Sequence, residues 1–251
     1  MQGGIARTAT CVLTLVLLGL AVAGAPGTGF PVALAQDASD PPEIGDQIVA
    51  DPLAAETIFP SGACPTNLSG GGYVGEGYRL SVTGPCRPGA DLADAAVLGR
   101  GVTVPDGDVT VSFKVAAGGA RTSLSLYARV QPRNSIGVYL NPGSGEVTLF
   151  TIVDGTWSAL ATRQDGQELL APDAWNVLSL RLEGSAIWLL LNGETALYGS
   201  GVSETAGGIG LRVVREGRVD DDQEATVVFA NLAVSALADM PAERAPTYQP
   251  Q

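Results

Sequence analysis

From residue 109 onward, apolar and polar side chains alternate with a period of two. Val109-Thr110-Val111-Ser112-Phe113-Lys114-Val115 puts four apolar residues on one face. Leu124–Val130, Ile136–Leu140 and Glu146–Phe150 repeat the pattern. A period of two predicts strands that bury one face and show the other. Pro142-Gly143 and Asp154-Gly155 supply turns. Further strands are predicted at 78–82, 156–161, 175–183, 186–191, 194–198, 208–214 and 225–236. About a dozen short strands separated by Gly, Pro, Asn and Asp predict an all-β antiparallel sandwich of two sheets, a jelly roll. "DPLAAE" and "GADLADAAVLG" each leave room for a helical turn.

One hairpin stands out. "AIWLLLNGETALYG" (186–199) places Asn192-Gly193 between two strands, the signal of a type I′ turn. Residues 186–191 are apolar on both faces, with Ile187, Leu189 and Leu191 on one and Ala186, Trp188 and Leu190 on the other. That predicts a central strand covered on both sides. Trp188 must then meet a loop, the segment between Cys64 and Cys86, or a ligand.

The first 35 residues follow a different pattern. Arg7 precedes an apolar run from Cys11 to about Ala25, and Ala33-Leu34-Ala35 has the small residues of a signal-peptidase site. Ala23-Gly24-Ala25 is an earlier option, and an uncleaved anchor is the alternative to cleavage. Residues 1–35 are therefore expected to be a signal peptide and the protein to be secreted, extracellular or associated with the cell envelope. No other run reaches the length that spans a bilayer, so no membrane association is expected after cleavage. Residues 36–50 are expected to form a flexible lead-in, 51–237 the sandwich domain, and 238–251 a disordered tail.

Charge and cysteines narrow the partners. The chain has 14 basic and 26 acidic residues, net −12. Such a balance argues against nucleic acid and anionic membrane surfaces. Cys64 and Cys86 form an even pair outside the leader and are expected to be joined in a disulfide. It would close a loop of about 20 residues and add roughly 3 kcal/mol on the chain-entropy model. Asn67-Leu68-Ser69 is a glycosylation sequon.

The chain contains no histidine. A Ser-His-Asp triad, a Cys-His pair and His-ligated zinc are excluded. Glycoside hydrolysis needs only two carboxylates, but the acids Asp106, Asp108, Asp154, Asp165, Glu204 and Glu216 sit mostly in loops, as a solvated surface would have them. No catalytic residue is assigned. Asp220, Asp221 and Asp222 crowd one loop, which reads either as a solvated turn balanced by Arg215 and Arg218 or as a calcium site. Trp157 and Trp175 read as core or rim packing. Tyr127, Arg129, Tyr139 and Arg181 occupy the polar phase of their strands and face away from the core. This set either binds a sugar or peptide or packs across a solvated sheet.

The order of parts carries a resemblance. "VTVSFKV", "SLYARV" and "SIGVYLNPGSGEVTLFTIVDGTWSAL" are followed by "APDAWNVLSLRLEGSAIWLLLNGETAL", "GGIGLRV" and "ATVVFANLAVSAL". Over roughly 130 residues this resembles the concanavalin A-like lectin/glucanase superfamily, most closely its laminin G-like and 3-keto-disaccharide hydrolase-like jelly rolls. The resemblance implies two packed sheets, one concave, with carbohydrate, protein or calcium sites on the concave sheet and its rim. It implies that Tyr127, Arg129, Tyr139 and Arg181 line that face, and it transfers no catalytic residue. The leading expectation is a secreted, non-catalytic, monomeric module that binds a glycan or cell-envelope component. A 3-keto-disaccharide-type hydrolase and a protein–protein interaction domain are the alternatives.

Overall fold

The computed structural model describes residues 40–63, 69–84, 93–203, 205–217 and 224–250. The expected leader, the Cys64–Cys86 pair, Asn67 of the sequon and the Asp220–Asp222 cluster lie outside the described residues. Seventeen strands run along the described chain. They are β1 (Ile44–Asp51), β2 (Gly62–Ala63), β3 (Ser69–Val74), β4 (Gly77–Val82), β5 (Ala93–Leu98) and β6 (Val102–Thr103). Next come β7 (Gly107–Ala117), β8 (Thr122–Val130), β9 (Ser135–Asn141), β10 (Glu146–Val153), β11 (Thr156–Arg163) and β12 (Asn176–Glu183). The last are β13 (Ala186–Leu191), β14 (Glu194–Gly199), β15 (Gly208–Arg215), β16 (Ala225–Leu237) and β17 (Thr247–Tyr248).

Two antiparallel sheets form a β-sandwich. The large sheet runs β14-β13-β12-β7-β16-β4-β3-β2, and the small one β11-β10-β9-β8-β15-β5. β16 is long enough to use one edge twice. Ala225–Phe229 pairs with β4, and Leu232–Leu237 pairs with β1. The inward phase of every long strand supplies the core. Val109, Val111 and Phe113 of β7 and Leu178, Leu180 and Leu182 of β12 meet Leu124, Leu126, Val138, Leu140 and Leu149 of the small sheet. The predicted strand boundaries from residue 175 onward fall within a residue of those observed.

Three expectations change. The lead-in and the tail are not loose ends. Residues 44–51 form β1 on β16, and β17 pairs with β6 while Gln249 N donates to Gly101 O at 2.8 Å. Both recover backbone hydrogen bonds that their composition does not advertise. "ADAAVL" is strand β5 rather than a helical turn, because Ala93, Ala95 and Val97 face the core with a period of two. Asp51 ends β1 and residues 53–59 form bends, with no helix.

The 186–199 hairpin is as read. Asn192 and Gly193 have φ of 52° and 86°, as a type I′ turn requires. β13 lies one strand in from the sheet edge. Trp188 is 3% exposed. It stacks on Tyr198 at 5.3 Å and stands opposite Arg181, whose Nη1 donates to Pro42 O at 2.6 Å. The segment that leads into β1 thus crosses this face.

Candidate functional site

The outward phase of the small sheet builds the most site-like surface. On β8 the core takes Leu124, Leu126 and Ala128, so Ser123, Ser125 and Tyr127 point outward. Cross-strand register aligns them in rows. One row runs Leu98, Gly210, Tyr127, Gly137, Phe150. The next runs Ala96, Arg212, Ser125, Tyr139, Thr148. Side chains in register on one face are close enough to touch.

Tyr127 sits between two glycines, and the two are used differently. The Phe150 ring fills the space over Gly137, where a Cβ would lie 2.6 Å from Phe150 Cζ. Phe150 meets Tyr127 edge-on at 5.6 Å and Trp157 at 5.7 Å. Trp157, in register with Ile152, is 53% exposed. The result is a continuous aromatic strip from Tyr127 to an open indole. On the other side of Tyr127, Gly210 floors an open cleft. Leu98, Tyr127, Arg133, Ile152 and Arg212 are among its lining.

The polar groups here are already tied to one another. Arg212 Nε donates to Asp94 Oδ2 at 2.8 Å. Burial pulls the Arg212 guanidinium down, but Tyr127 and Asp94 beside it more than offset this and hold it charged. Ser123 Oγ donates to Glu216 Oε1 at 2.6 Å, and the Tyr139 hydroxyl donates to the same oxygen. Burial first, and Glu216 second, push the Tyr139 phenol up to about 12. A neutral form favoured by the fold is a contribution to stability that is present below the phenol's ordinary value of 10 and is lost as pH rises towards 12. Tyr139→Phe is therefore expected to flatten the fall in stability over that window. Urea midpoints measured at steps from pH 9 to pH 12 check it, and an unchanged slope would count against the Glu216 contact.

Two of the four expected binding residues, Tyr127 and Tyr139, share this face. Arg129 and Arg181 do not, and they are not exposed. The β8 alternation breaks at Arg129, which has φ 51° in a bulge where the register with β15 slips. Its side chain turns into the end of the sandwich and is 2% exposed. There it donates to Asp106 Oδ1 at 2.8 Å and to the carbonyls of Pro105, Ser203 and Gly184 at 2.6, 2.7 and 2.9 Å. Arg181 lies on the large sheet and donates to Asp108 at 3.1 Å, with Ser179 on the same carboxylate. Asp106 and Asp108 are buried, so these two acids are not the solvated surface their loop positions suggest.

Arg212 and Asp94 were missed by sequence reading. Arg212 occupies the polar phase of "GIGLRVV", a signal that was present. Asp94 was hidden in the segment read as a turn. Trp157, for which core or rim packing is expected, packs on Phe150 from the edge strand β11 and is 53% exposed. Among the described residues no three of His, Cys, Asp and Glu cluster as a metal site, and no helix is long and apolar enough to cross a membrane.

No family model matches this chain, and no curated protein does. Solved structures do match its fold. A carbohydrate-binding module, CBM66, from Bacillus subtilis aligns over 72% of this chain and 98% of its own, at 16% identity and TM-score 0.54. A β-glucanase from Bacillus licheniformis aligns over 76% and 98%, at 14% identity and TM-score 0.56. An endo-β-galactosidase from Clostridium perfringens that releases GlcNAcα1-4Gal covers 81% of this chain and 63% of its own, at 10% identity and TM-score 0.59. The architecture is the antiparallel β-sandwich that these proteins share. At these identities the likeness is one of fold, and function must be argued from the face itself.

Proposed function

We propose that this protein is a secreted, non-catalytic module that binds a glycan on the outer face of the small sheet. The observation that carries it is the half-exposed Trp157 at the open end of an aromatic strip whose other end, Tyr127, lines the Gly210 cleft. Sugars present apolar C–H faces and polar edges. The open indole of Trp157 takes the first, and a cleft with a few fixed polar groups takes the second. The lack of histidine and the export signal are consistent with a binding role outside the cell. Known sugar-binding and sugar-cleaving proteins share the fold, which supports the class of ligand.

Binding of the purified protein to a panel of cell-envelope and plant glycans tests the proposal. Trp157→Ala is expected to weaken any such binding about tenfold, with no change in thermal midpoint, since stacking is worth roughly 1 kcal/mol beyond contact area. A protein that binds none of the panel overturns it.

A second reading has one observation in its favour. Asp94 and Glu216 both stand on this face, the first in register with Val214 and the second just past the end of β15. Two carboxylates are the minimum for glycoside hydrolysis. Each already has partners within the protein, Arg212 for Asp94 and two hydroxyls for Glu216, which favours binding over catalysis. Release of new reducing ends, abolished by Glu216→Gln, would reverse that preference.

A further inference from the structure

Resting on the sugar-binding reading, we infer that the glycan held in the Gly210 cleft is acidic, with a uronate carboxylate taken between Arg212 and Arg133. The chain as a whole has 26 acidic against 14 basic residues. The cleft lining inverts that balance, with two arginines and no carboxylate. Asp94 and Asp154 stand next to the two arginines, yet neither lines the cleft.

The two guanidinium groups come from different elements. Arg212 rises from the floor strand β15, and Arg133 comes from the β8–β9 loop at the rim. Both are placed before any ligand arrives. Arg212 is fixed by Asp94 at 2.8 Å. Arg133 Nη2 donates to Asp154 O at 2.7 Å, and its loop is closed by Gln131 N to Asn134 O and Gly155 N to Arg133 O, both at 2.8 Å. Gln131 is itself tied to Ala206 O at 2.7 Å. Prepositioned side chains lose less entropy on binding.

Around the arginines the walls are apolar: Leu98, Val130 and Ile152. These walls shield the floor of the cleft at Arg212, whose side chain is 19% exposed, and strengthen a charge contact formed there, while Arg133 meets it from the open rim. A guanidinium fork matches a carboxylate with two parallel hydrogen bonds, and these are the strong ones. A neutral sugar would use the Trp157 indole and leave the remaining guanidinium N–H groups to water and to Asp94 and Asp154. A uronate chain uses both features, one ring against the indole and a carboxylate in the cleft.

The test uses trisaccharides of galacturonate and of mannuronate, each beside its methyl ester, titrated calorimetrically into the purified protein. The ester keeps the ring and removes the charge. At least one acid is expected to bind about tenfold or more tighter than its ester, the range of a hydrogen bond to a charged group. Arg212→Gln and Arg133→Gln should each shrink that ratio, and the double variant should bring it near one without weakening the ester. Arg133 is 71% exposed, so its variant reads binding without a folding defect. Trp157→Ala should weaken acid and ester alike. Equal affinity for acid and ester overturns this inference and leaves the sugar-binding reading standing, as does binding of neutral glycans alone. No binding to any glycan overturns both.

Discussion

Replacing Asp106 with alanine is expected to lower the unfolding free energy by about 3–5 kcal/mol, the cost of leaving one partner of a buried pair without the other. Asp106 and Arg129 are 3% and 2% exposed and lie 2.8 Å apart. Without Asp106, the Arg129 charge stays in the end of the sandwich and loses this buried carboxylate. Gly184 N also loses its acceptor, Asp106 Oδ1, at 3.0 Å. The same carboxylate binds Arg244 in the C-terminal segment, but that side chain is 43% exposed. Arg244→Ala should therefore cost less than about 1 kcal/mol, as exposed pairs do. Urea unfolding of the two variants gives the comparison. Equal and small losses would show that the Arg129 network does not secure this end of the fold.

That network also marks the limit of what the sequence reveals. A period of two is a local property, and it placed β7 to β16 closely because each strand has one face on the core. Arg129 obeys the period in sequence and breaks it in space, because a single left-handed residue in a bulge redirects the side chain. The reason for the bulge is non-local. Gly207 lets the β8 backbone approach, with a Cβ there only 2.4 Å from Arg129 C. Asp106 and Asp108 looked like surface acids since their arginine partners are 23 and 73 residues away. The ends were misread for the same reason. β1 is mostly exposed along its length, so its pattern carries no core signal, and only the spare edge of β16 makes it a strand.

The candidate face was half legible. Tyr127 and Tyr139 could be placed outward from alternation alone, and Arg212 could have been found by the same rule. Nothing in the sequence says that the Phe150 ring leans over Gly137, to 2.6 Å from where a Cβ would lie, while the nearest neighbours at Gly210, Leu98 Cδ2 and Val97 O, stand off at 3.1 Å. Those two glycines look alike in the chain. They differ in which neighbour on the next strand is large: Phe150 on β10 for Gly137, against Leu98 on β5 for Gly210.

That difference sets the last expected result. Gly137→Ala should lower stability by about 1–3 kcal/mol, the usual cost of overpacking, and should weaken glycan binding as well. The backbone at Gly137 is not in the left-handed region, so the cost comes from space alone. The new Cβ would lie 2.6 Å from Phe150 Cζ and 3.1 Å from Tyr127 Cδ1. Phe150 is 2% exposed and flanked by Tyr127 and Trp157, so it moves only by pushing on one of them. Shortening the ring in the double variant Gly137→Ala, Phe150→Leu removes the closest clash and leaves only the 3.1 Å approach to Tyr127 Cδ1. Stability should return in large part, because the two sites share one volume and their effects do not add. Binding should not return, because the strip is then interrupted between Tyr127 and Trp157. Unfolding curves and glycan titrations on the single and double variants separate the two effects, and the indole N–H resonance of Trp157 reports the ring displacement directly. Recovery of binding together with stability would mean that Trp157 acts alone. In that case the strip is packing, and the indole and the cleft are the binding surface.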